Sequence, residues 1–252
     1  MSATTPKVKF TVEAAKFNDL LSKAFLYDGN AIADVVQAEF SKSGLVIREL
    51  FSKVIGIHLV AGMSFFKDFE VTQDMKVAFT TSFRDKLLHL KHSEVVSVEV
   101  TEAEDGSGQI QIFGNKEGDK EDLITLPPHN FPLTIVEAEG VGLLPKNAVE
   151  VSDFVAQVPV TELSDTRKPE TMNFVSSDSG LRLNIESYYR DITLKQSKKL
   201  VPSNVNLSTG YFNRLIHNLS DDAWFLIGKE AIVLAQTKPD LSTLMLLNTA
   251  ED

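Results

Sequence analysis

Cysteine is absent from all 252 residues of the chain. Its absence excludes a disulfide scaffold, a thiolate metal site and a cysteine nucleophile, and it is typical of a reducing intracellular compartment. Long hydrophobic runs are also missing, because no apolar stretch approaches the roughly 20 residues that span a bilayer. Met1–Pro6 has no apolar core of the kind found in a signal peptide. We therefore expect a soluble intracellular protein.

Sequence signatures of the common enzyme classes are missing as well. The chain has no GxxxxGK phosphate loop, HExxH helix, GxSxG elbow or GxGxxG dinucleotide turn. Its five histidines are scattered, and only His89 and His92 have a spacing that suits a metal. Glu117–Asp122 lacks the spacing of a calcium loop. We therefore predict no catalytic residue, metal site or cofactor. One enzyme alternative stays open: a duplicated α+β fold with a carboxylate and histidine site at its module boundary.

Positive charge is scarce overall, with 25 lysines and arginines against 35 acidic residues and a net charge of −10. Phosphate binding depends on lysine and arginine, so the total charge argues against a nucleic-acid partner. A basic stripe can still coexist with an acidic shell if the basic residues share one face. The distribution of the cations therefore matters more than their sum.

An internal repeat is the most informative pattern present. Val77–His89 aligns without a gap on Val205–His217, an offset of 205 − 77 = 128. Ser43–Leu45 matches Ser179–Leu181 at an offset of 136. A third match pairs Glu13 and Phe17 with Glu150 and Phe154 at an offset of 137. Three matches in the same order predict two copies of one module, as in pseudosymmetric and ring-forming proteins.

Hydrophobic periodicity predicts the same α+β order in both copies: strand, helix, four strands, helix, three strands. In the first copy the strands are Lys7–Val12, Val35–Phe40, Gly44–Leu50, Val54–Val60, Lys76–Phe79, Val95–Thr101, Gln109–Phe113 and Asp122–Leu126, and the helices are Glu13–Leu26 and one capped by Thr80 or Thr81. The first helix of the second copy, Ser152–Leu163, should be shortened by Pro159. We predict modules at 1–126 and 148–252, joined by an extended connector, 127–147, with several exposed apolar residues.

Basic residues recur on the predicted helices. With Phe83, Leu87 and Leu90 buried, the opposite face carries Lys86 and His89. The second copy repeats this face with Arg214 and His217, while the first helix adds Lys16 and Lys23 away from its apolar stripe, with Arg84 and Lys91 nearby.

Taken together, these features resemble the PCNA-type DNA sliding clamp (the proliferating cell nuclear antigen family). The resemblance is carried by Val77–Leu88 and its echo Val205–Ile216, the hydrophobic connector, the final strand Leu241–Leu247 and the acidic tail Ala250–Asp252. It implies a ring of three subunits, with helices lining a central hole and antiparallel sheets forming the outer wall. The ring would encircle duplex DNA without reading its sequence and act as a processivity factor in replication and repair.

The resemblance also implies site residues. The DNA-facing set would be Lys16, Lys23, Arg84, Lys86, His89, Lys91, Arg214 and His217. DNA polymerase, clamp loader, ligase and nucleases would dock a short peptide motif in a pocket formed by Leu50, Ile57, Val141, Leu143 and Met245. Subunits would pair through two strand edges, Gln109, Ile110, Gln111, Ile112 and Phe113 on one side and Leu181, Arg182, Leu183, Asn184 and Ile185 on the other.

The assembly and the role leave alternatives. The ring would be a homotrimer or a heterotrimer, located in the nucleus of a eukaryote or in the cytoplasm and nucleoid of an archaeon. A checkpoint-type clamp or a scaffold that gathers proteins without DNA would use the same architecture. Loss of DNA association on removing Lys86 and Arg214 would separate a clamp from a scaffold.

Overall fold

A computed structural model describes residues 6–52, 54–90, 93–102, 108–115, 122–126, 152–164, 170–186, 188–228 and 231–248. The chain divides into two compact units. The first holds Met1–Glu49, His58–Leu133 and Lys238–Ser242, and the second holds Leu50–Ile57, Thr134–Thr237 and Thr243–Asp252. The predicted connector, 127–147, lies outside the described residues, so the predicted module boundaries stay a prediction.

The fold is mostly antiparallel strand with few helices. The first repeat contains β1 Val8–Glu13, α1 Ala14–Ala24, β2 Val35–Ser41, β3 Gly44–Phe51, β4 Ile55–Gly62, a 3₁₀ turn Met63–Phe65, β5 Asp68–Val71, β6 Met75–Thr80, α2 Thr81–His89, β7 Val95–Glu102, β8 Gly108–Gly114 and β9 Asp122–Leu126. The second contains β10 Phe154–Pro159, a 3₁₀ turn Val160–Glu162, β11 Thr171–Ser176, β12 Leu181–Ile185, β13 Tyr188–Ile192, β14 Gln196–Leu200, β15 Ser203–Ser208, α3 Thr209–His217, β16 Asp222–Ile227, β17 Ala231–Thr237 and β18 Leu241–Asn248.

Strand pairing confirms the predicted duplication. In the first repeat the strands lie in the orders β5-β1-β7-β8-β9 and β4-β3-β2-β6. In the second repeat the orders are β14-β10-β16-β17-β18 and β13-β12-β11-β15. Adding nine to each strand number of the first repeat gives the strand order of the second. The fold is therefore two copies of one nine-stranded pattern, as the α+β prediction with repeated modules required.

The register supports two of the three sequence matches and corrects the third. β6 and α2 correspond to β15 and α3 at the offset 203 − 75 = 128. The serine-rich hairpin turns also correspond, since Ser41 and Ser43 share a hydroxyl hydrogen bond of 2.7 Å and Ser177 and Ser179 share one of 3.1 Å. The match of Glu13 with Glu150 is wrong.

Strand pairing gives the correct equivalence for the first strand of each repeat. Glu13 at the end of β1 pairs with Val95, and Pro159 at the end of β10 pairs with Asp222. Val95 and Asp222 are the first residues of β7 and β16. The offset at this strand is therefore 159 − 13 = 146, and two matched residues were too few to establish the alignment.

The predicted helix Ser152–Leu163 is also wrong. Phe154–Pro159 is a strand with a neighbour on each side, β14 and β16, and only Val160–Glu162 turns helically. β-Branched Val155 and Val158 suit an interior strand, and pairing on both sides outweighs a local helical spacing. Pro159 ends the strand, where it has no N–H to give to the ladder.

Each repeat has its own aromatic core. In the first, Phe17 of α1 lies edge-on to Phe83 of α2, with ring centroids 5.9 Å apart, and Phe83 stacks on Phe79 of β6 at 5.0 Å. In the second, Phe212 of α3 contacts Phe174 and Phe225 at 5.2 and 6.4 Å. All of these rings are fully buried.

The second helix of the first repeat starts as predicted. The Thr80 hydroxyl accepts a hydrogen bond of 3.3 Å from the Phe83 N–H, which satisfies one of the free amides of the first turn of α2. Among the described residues, no helix has the length and apolar character needed to cross a membrane.

Candidate functional site

Lys16 is the basic residue of α1 that reaches solvent. Its side chain is 40% exposed, and its Nζ lies 2.7 Å from Oδ2 of Asp240 and 5.9 Å from the centre of the Phe65 ring. The hydrogen bond to Asp240 raises the pKa of Lys16 against the opposing effect of desolvation. The same bond lowers the pKa of Asp240. Both groups are therefore charged at neutral pH.

The second pair of predicted cations occupies equivalent places. Lys86 of α2 and Arg214 of α3 are both half-buried and differ by the repeat offset, 214 − 86 = 128. His217, the last residue of α3, is exposed. The repeat thus places a cation in the middle of each of these helices, as predicted.

Lys23 and Arg84 depart from their predicted positions, because both are buried. Lys23 donates to both carboxylate oxygens of Asp19, one turn earlier, at 2.6 Å. The Arg84 guanidinium lies 3.7 Å from the centre of the Tyr27 ring and 3.4 Å from the Ser22 hydroxyl. The expectation that these two cations face solvent is wrong: their long stems fill space around α1, and their charges are satisfied within the first repeat.

The repeat contained a signal for the position of Arg84. Its equivalent in α3 is Phe212, at 84 + 128, and this ring is fully buried. His89 ends α2, but its side chain lies outside the described part of the chain, as does the whole of Lys91.

The predicted peptide pocket is only partly open. Leu50 is half-buried, whereas Ile57 and Met245 are buried, at 1% and 0% exposure. A partner could therefore reach Leu50 without rearrangement but could not reach the other two. Val141 and Leu143 lie outside the described residues.

One apolar surface was not predicted. Val155, Leu226 and Val233 lie side by side on β10, β16 and β17, with Leu244 and Leu246 of β18 in the same cluster. Phe225 alternates with Leu226 and packs on Phe174, so this sheet is apolar on both faces. The sequence signal was the uninterrupted apolar runs 223–227 and 244–247, which are typical of strands covered on both sides.

The predicted strand edges require correction. Gln109, Ile110, Gln111, Ile112 and Phe113 belong to β8, which is paired with β7 on one side and β9 on the other. Leu181, Arg182, Leu183, Asn184 and Ile185 form β12, paired with β11 and β13. Neither strand is an edge. Among the described strands, the open edges next to them are β9 and β13. Alternating hydrophobicity marked β8 and β12 as strands but did not reveal their neighbours.

The edge strand β13 exposes two aromatic side chains. Tyr188 and Tyr189 are 42% and 60% exposed. Arg182 of β12 reaches across to this strand, with its Nε 2.6 Å from Asp191 and its guanidinium 4.4 Å from the Tyr189 ring centre. Exposed aromatic and arginine side chains of this kind are enriched at protein interfaces.

Acidic and histidine side chains do not gather into a metal site within the described ranges, where no group of three or more such residues could hold an ion. His58 of β4 has a perturbed pKa, lowered to about 4 by burial and then by the nearby Arg48. It is therefore neutral at physiological pH.

The sequence matches no protein-family model and no curated protein. The structure does have solved counterparts. PCNA of Thermococcus kodakaraensis superimposes with a TM-score of 0.73 at 13% identity, covering 96% of this chain and 100% of that one. A chain of the PCNA2-PCNA3 complex from Sulfolobus tokodaii gives 0.68 at 16% identity, covering 96% and 98%. PCNA of Entamoeba histolytica gives 0.69 at 10% identity, covering 98% and 100%.

This chain has the PCNA clamp fold. The likeness covers both repeats, and identities of 10% to 16% establish the fold alone. In this PCNA-type fold the candidate DNA-facing cations Lys16, Lys86 and Arg214 lie on helices α1, α2 and α3, whereas the edge strands β9 and β13 lie in the sheets. The two candidate surfaces therefore use different elements.

Proposed function

We propose that the chain is a DNA sliding clamp subunit, whose copies close into a ring around duplex DNA and tether replication and repair proteins to it. The proposal rests chiefly on one observation. The open strands β9 and β13 are the repeat equivalents of β18 and β4, which pair with each other within the chain. Such a ring would provide processivity because it encircles the duplex, and it would need no contacts with the bases.

The correspondence involves β4 and β18, which are hydrogen-bonded neighbours. The hydrogen bonds near the two ends of this strand pair each lie within one unit. The Asn248 N–H donates to the Val54 carbonyl in the second unit, and the Gly62 N–H donates to the Asp240 carbonyl in the first unit. In the repeat, β9 is the equivalent of β18 and β13 is the equivalent of β4. The two open strands β9 and β13 are therefore the equivalents of two strands that pair with each other within the chain.

Pairing β9 of one copy with β13 of another would repeat this junction. The order β5-β1-β7-β8-β9 would continue into β13-β12-β11-β15, which mirrors β14-β10-β16-β17-β18 followed by β4-β3-β2-β6. Closure of this kind removes two sheet edges, and open edges otherwise favour aggregation. A head-to-tail junction forms a ring when its rotation closes, and three copies is the number that the resemblance implies.

The DNA-facing set is revised by burial. Lys16, Lys86, Arg214 and His217 remain its described members, and His89 and Lys91 stay proposals. Lys23 and Arg84 are assigned instead to the packing around α1. Phosphate contacts from helix side chains hold the duplex without sequence preference and allow sliding. An acidic protein can bind DNA in this way if its cations share one face.

Partner recognition follows the same proposal. Leu50, with Val141 and Leu143 of the connector, would receive a short apolar motif of a polymerase, ligase or nuclease, and a clamp loader would place the ring on DNA. Ile57 and Met245 would support this surface from beneath. The chain would act as a tether and would catalyse no reaction itself.

Absolute mass in solution tests the assembly. Light scattering on size exclusion should give three times the 27.9 kDa of one chain. Tyr189→Asp should lower this mass by placing a charge on the β13 edge. Tyr211→Asp, which changes a tyrosine of α3 that is 41% exposed, should leave the mass unchanged. A chain that stays at 27.9 kDa at every concentration would contradict a homotrimer.

A further inference from the structure

The ion pair between Lys16 and Asp240 is built on two fixed parts of the first unit. Lys16 projects from α1, and Asp240 lies in the turn between β17 and β18. The pair spans 224 positions in sequence, so it joins parts of the chain that only the fold brings together.

Asp240 is held in place by its backbone. Its carbonyl accepts a hydrogen bond of 3.2 Å from the Gly62 N–H, and the carbonyl of Pro239 accepts one of 3.4 Å from the Ser64 hydroxyl. Pro239 restricts the chain on its N-terminal side. The carboxylate is therefore presented from a braced turn, unlike that of an ordinary surface pair, which loses side-chain entropy on forming.

Lys16 is held from its other side. Its Nζ lies over the ring of Phe65, which is 4% exposed and belongs to the 3₁₀ turn that follows Gly62. The Lys16 side chain is nevertheless 40% exposed, and that of Asp240 is 24% exposed. A DNA phosphate could thus reach the ammonium, but it would meet a carboxylate already bound there.

We propose that Asp240 is an internal competitor for the phosphate at Lys16 and thereby weakens the grip of helix α1 on DNA. The inference rests on the proposed clamp function. A carboxylate 2.7 Å from the ammonium neutralises most of its field beyond the pair. A phosphate must displace this carboxylate, which remains tethered nearby and acts as a counterion that cannot be released into solution. Lys16 therefore adds little to the salt dependence of binding while Asp240 is present.

Weak contacts at this position suit a ring that must move. A cation that is fully available would bind each passing phosphate more strongly, whereas a tethered competitor replaces the phosphate as soon as it leaves. Asp240 acts through Lys16 and does not itself touch the DNA.

The test compares Asp240→Asn with Glu99→Gln in the full-length protein. Glu99 pairs with Lys9 at 2.9 Å on the sheet strands β1 and β7, so its change removes the same charge at a site without a helix. Affinity for a fluorescent duplex is measured across salt concentrations. We expect D240N to bind about fivefold more tightly, as expected for a gain near 1 kcal/mol, with a salt slope steeper by up to about 0.9, while E99Q stays near the wild type.

The double variant Lys16→Ala with Asp240→Asn supplies the control for mechanism. If Asp240 acts through Lys16, D240N should change neither affinity nor slope in the K16A background. An unchanged or weakened affinity for D240N, or an equal gain for E99Q, would overturn the inference and leave the clamp proposal intact. A wild-type protein with no salt-dependent DNA association would instead overturn the clamp proposal.

Discussion

The two repeats share their strands but differ in their helices. The first carries two α-helices, α1 and α2, packed on each other, whereas the described part of the second carries α3 and one 3₁₀ turn. The offset between repeats falls from 146 at the first strand to 136 at the serine turn and 128 at α2 and α3. The second repeat is thus shorter than the first, both around the position of α1 and between the serine turn and the last helix. The strand pairing is the same in both repeats, whereas the helices differ.

This difference explains why equivalent positions hold unlike residues. In the first repeat, Arg84 contacts Ser22 of α1 and Tyr27 of the turn after α1. In the second repeat, Phe212 occupies that position and packs directly on Phe174 and Phe225. The guanidinium of Arg84 is therefore satisfied by residues of α1 and the turn after it. In the second repeat, where no helix equivalent to α1 is described, an aromatic ring occupies the position.

Removing one core ring from each repeat should give the largest effect. Phe83→Ala and Phe212→Ala should each lower the free energy of unfolding by about 3 to 5 kcal/mol, because both rings are fully buried and leave a cavity. F83A should be the more costly, since Phe83 also joins α2 to α1 through Phe17. Urea denaturation of both variants would measure this. A greater loss for F212A would mean that the helix pair adds little to the first repeat.

Replacing Arg84 should affect stability and spare DNA binding. Arg84→Ala should cost about 1 to 3 kcal/mol, since it removes a buried side chain that stacks on Tyr27. Thermal denaturation gives the stability, and a salt titration with duplex DNA gives the binding slope, which should not change. A normal melting temperature with a reduced slope would return Arg84 to the DNA-facing set.

Acidification should weaken the first repeat through His58, whose pKa is about 4 in the folded chain. The unfolded state takes up the proton near its ordinary pKa of about 6.5, so stability is full above that pH and falls as the pH drops toward about 4. The loss should be about 1 to 2 kcal/mol, since His58 is only half-buried. β13, its counterpart strand, has no histidine.

Denaturation at several pH values would measure this loss, with His58→Gln as the control. H58Q should lack the part of the pH dependence that lies between about pH 6.5 and 4. Identical pH profiles for the two proteins would show that His58 is not the group responsible.

Removing the equivalent cations should have the smallest effect on stability and a defined effect on DNA. Lys86→Ala and Arg214→Ala should each reduce the salt slope of binding by about 1 and change stability by less than about 0.5 kcal/mol. Because the two residues occupy equivalent positions, their effects should match. Lys76→Ala, exposed on β6, is the control and should leave the slope unchanged. A loss of slope in one variant alone would show that only one of these two residues contacts DNA.

The sequence predicted local structure better than it predicted neighbours. Alternating hydrophobicity located β1 to β4 and β6 to β9 to within about two residues, and Thr80 correctly marked the start of α2. It did not reveal β5, a strand of only four residues, of which Asp68 and Glu70 are exposed. It could not reveal that β8 and β12 are interior strands, because strand order depends on contacts distant in sequence.

The candidate site was harder to predict for a similar reason. Lysine and arginine have long apolar stems, so a helical wheel cannot distinguish an exposed cation such as Lys16 from a buried one such as Lys23. Asp240 could not be associated with Lys16 at all, since it lies 224 positions away. The repeat was the stronger guide, because it linked Lys86 to Arg214.

Threading onto DNA tests the clamp most directly. A linear duplex with biotin at both ends is mixed with the protein either before or after streptavidin blocks the ends, and is then washed at high salt. A ring that slides on over free ends should be retained only when it is added before blocking. Equal retention in both orders, or loss in both, would contradict a ring that encircles DNA.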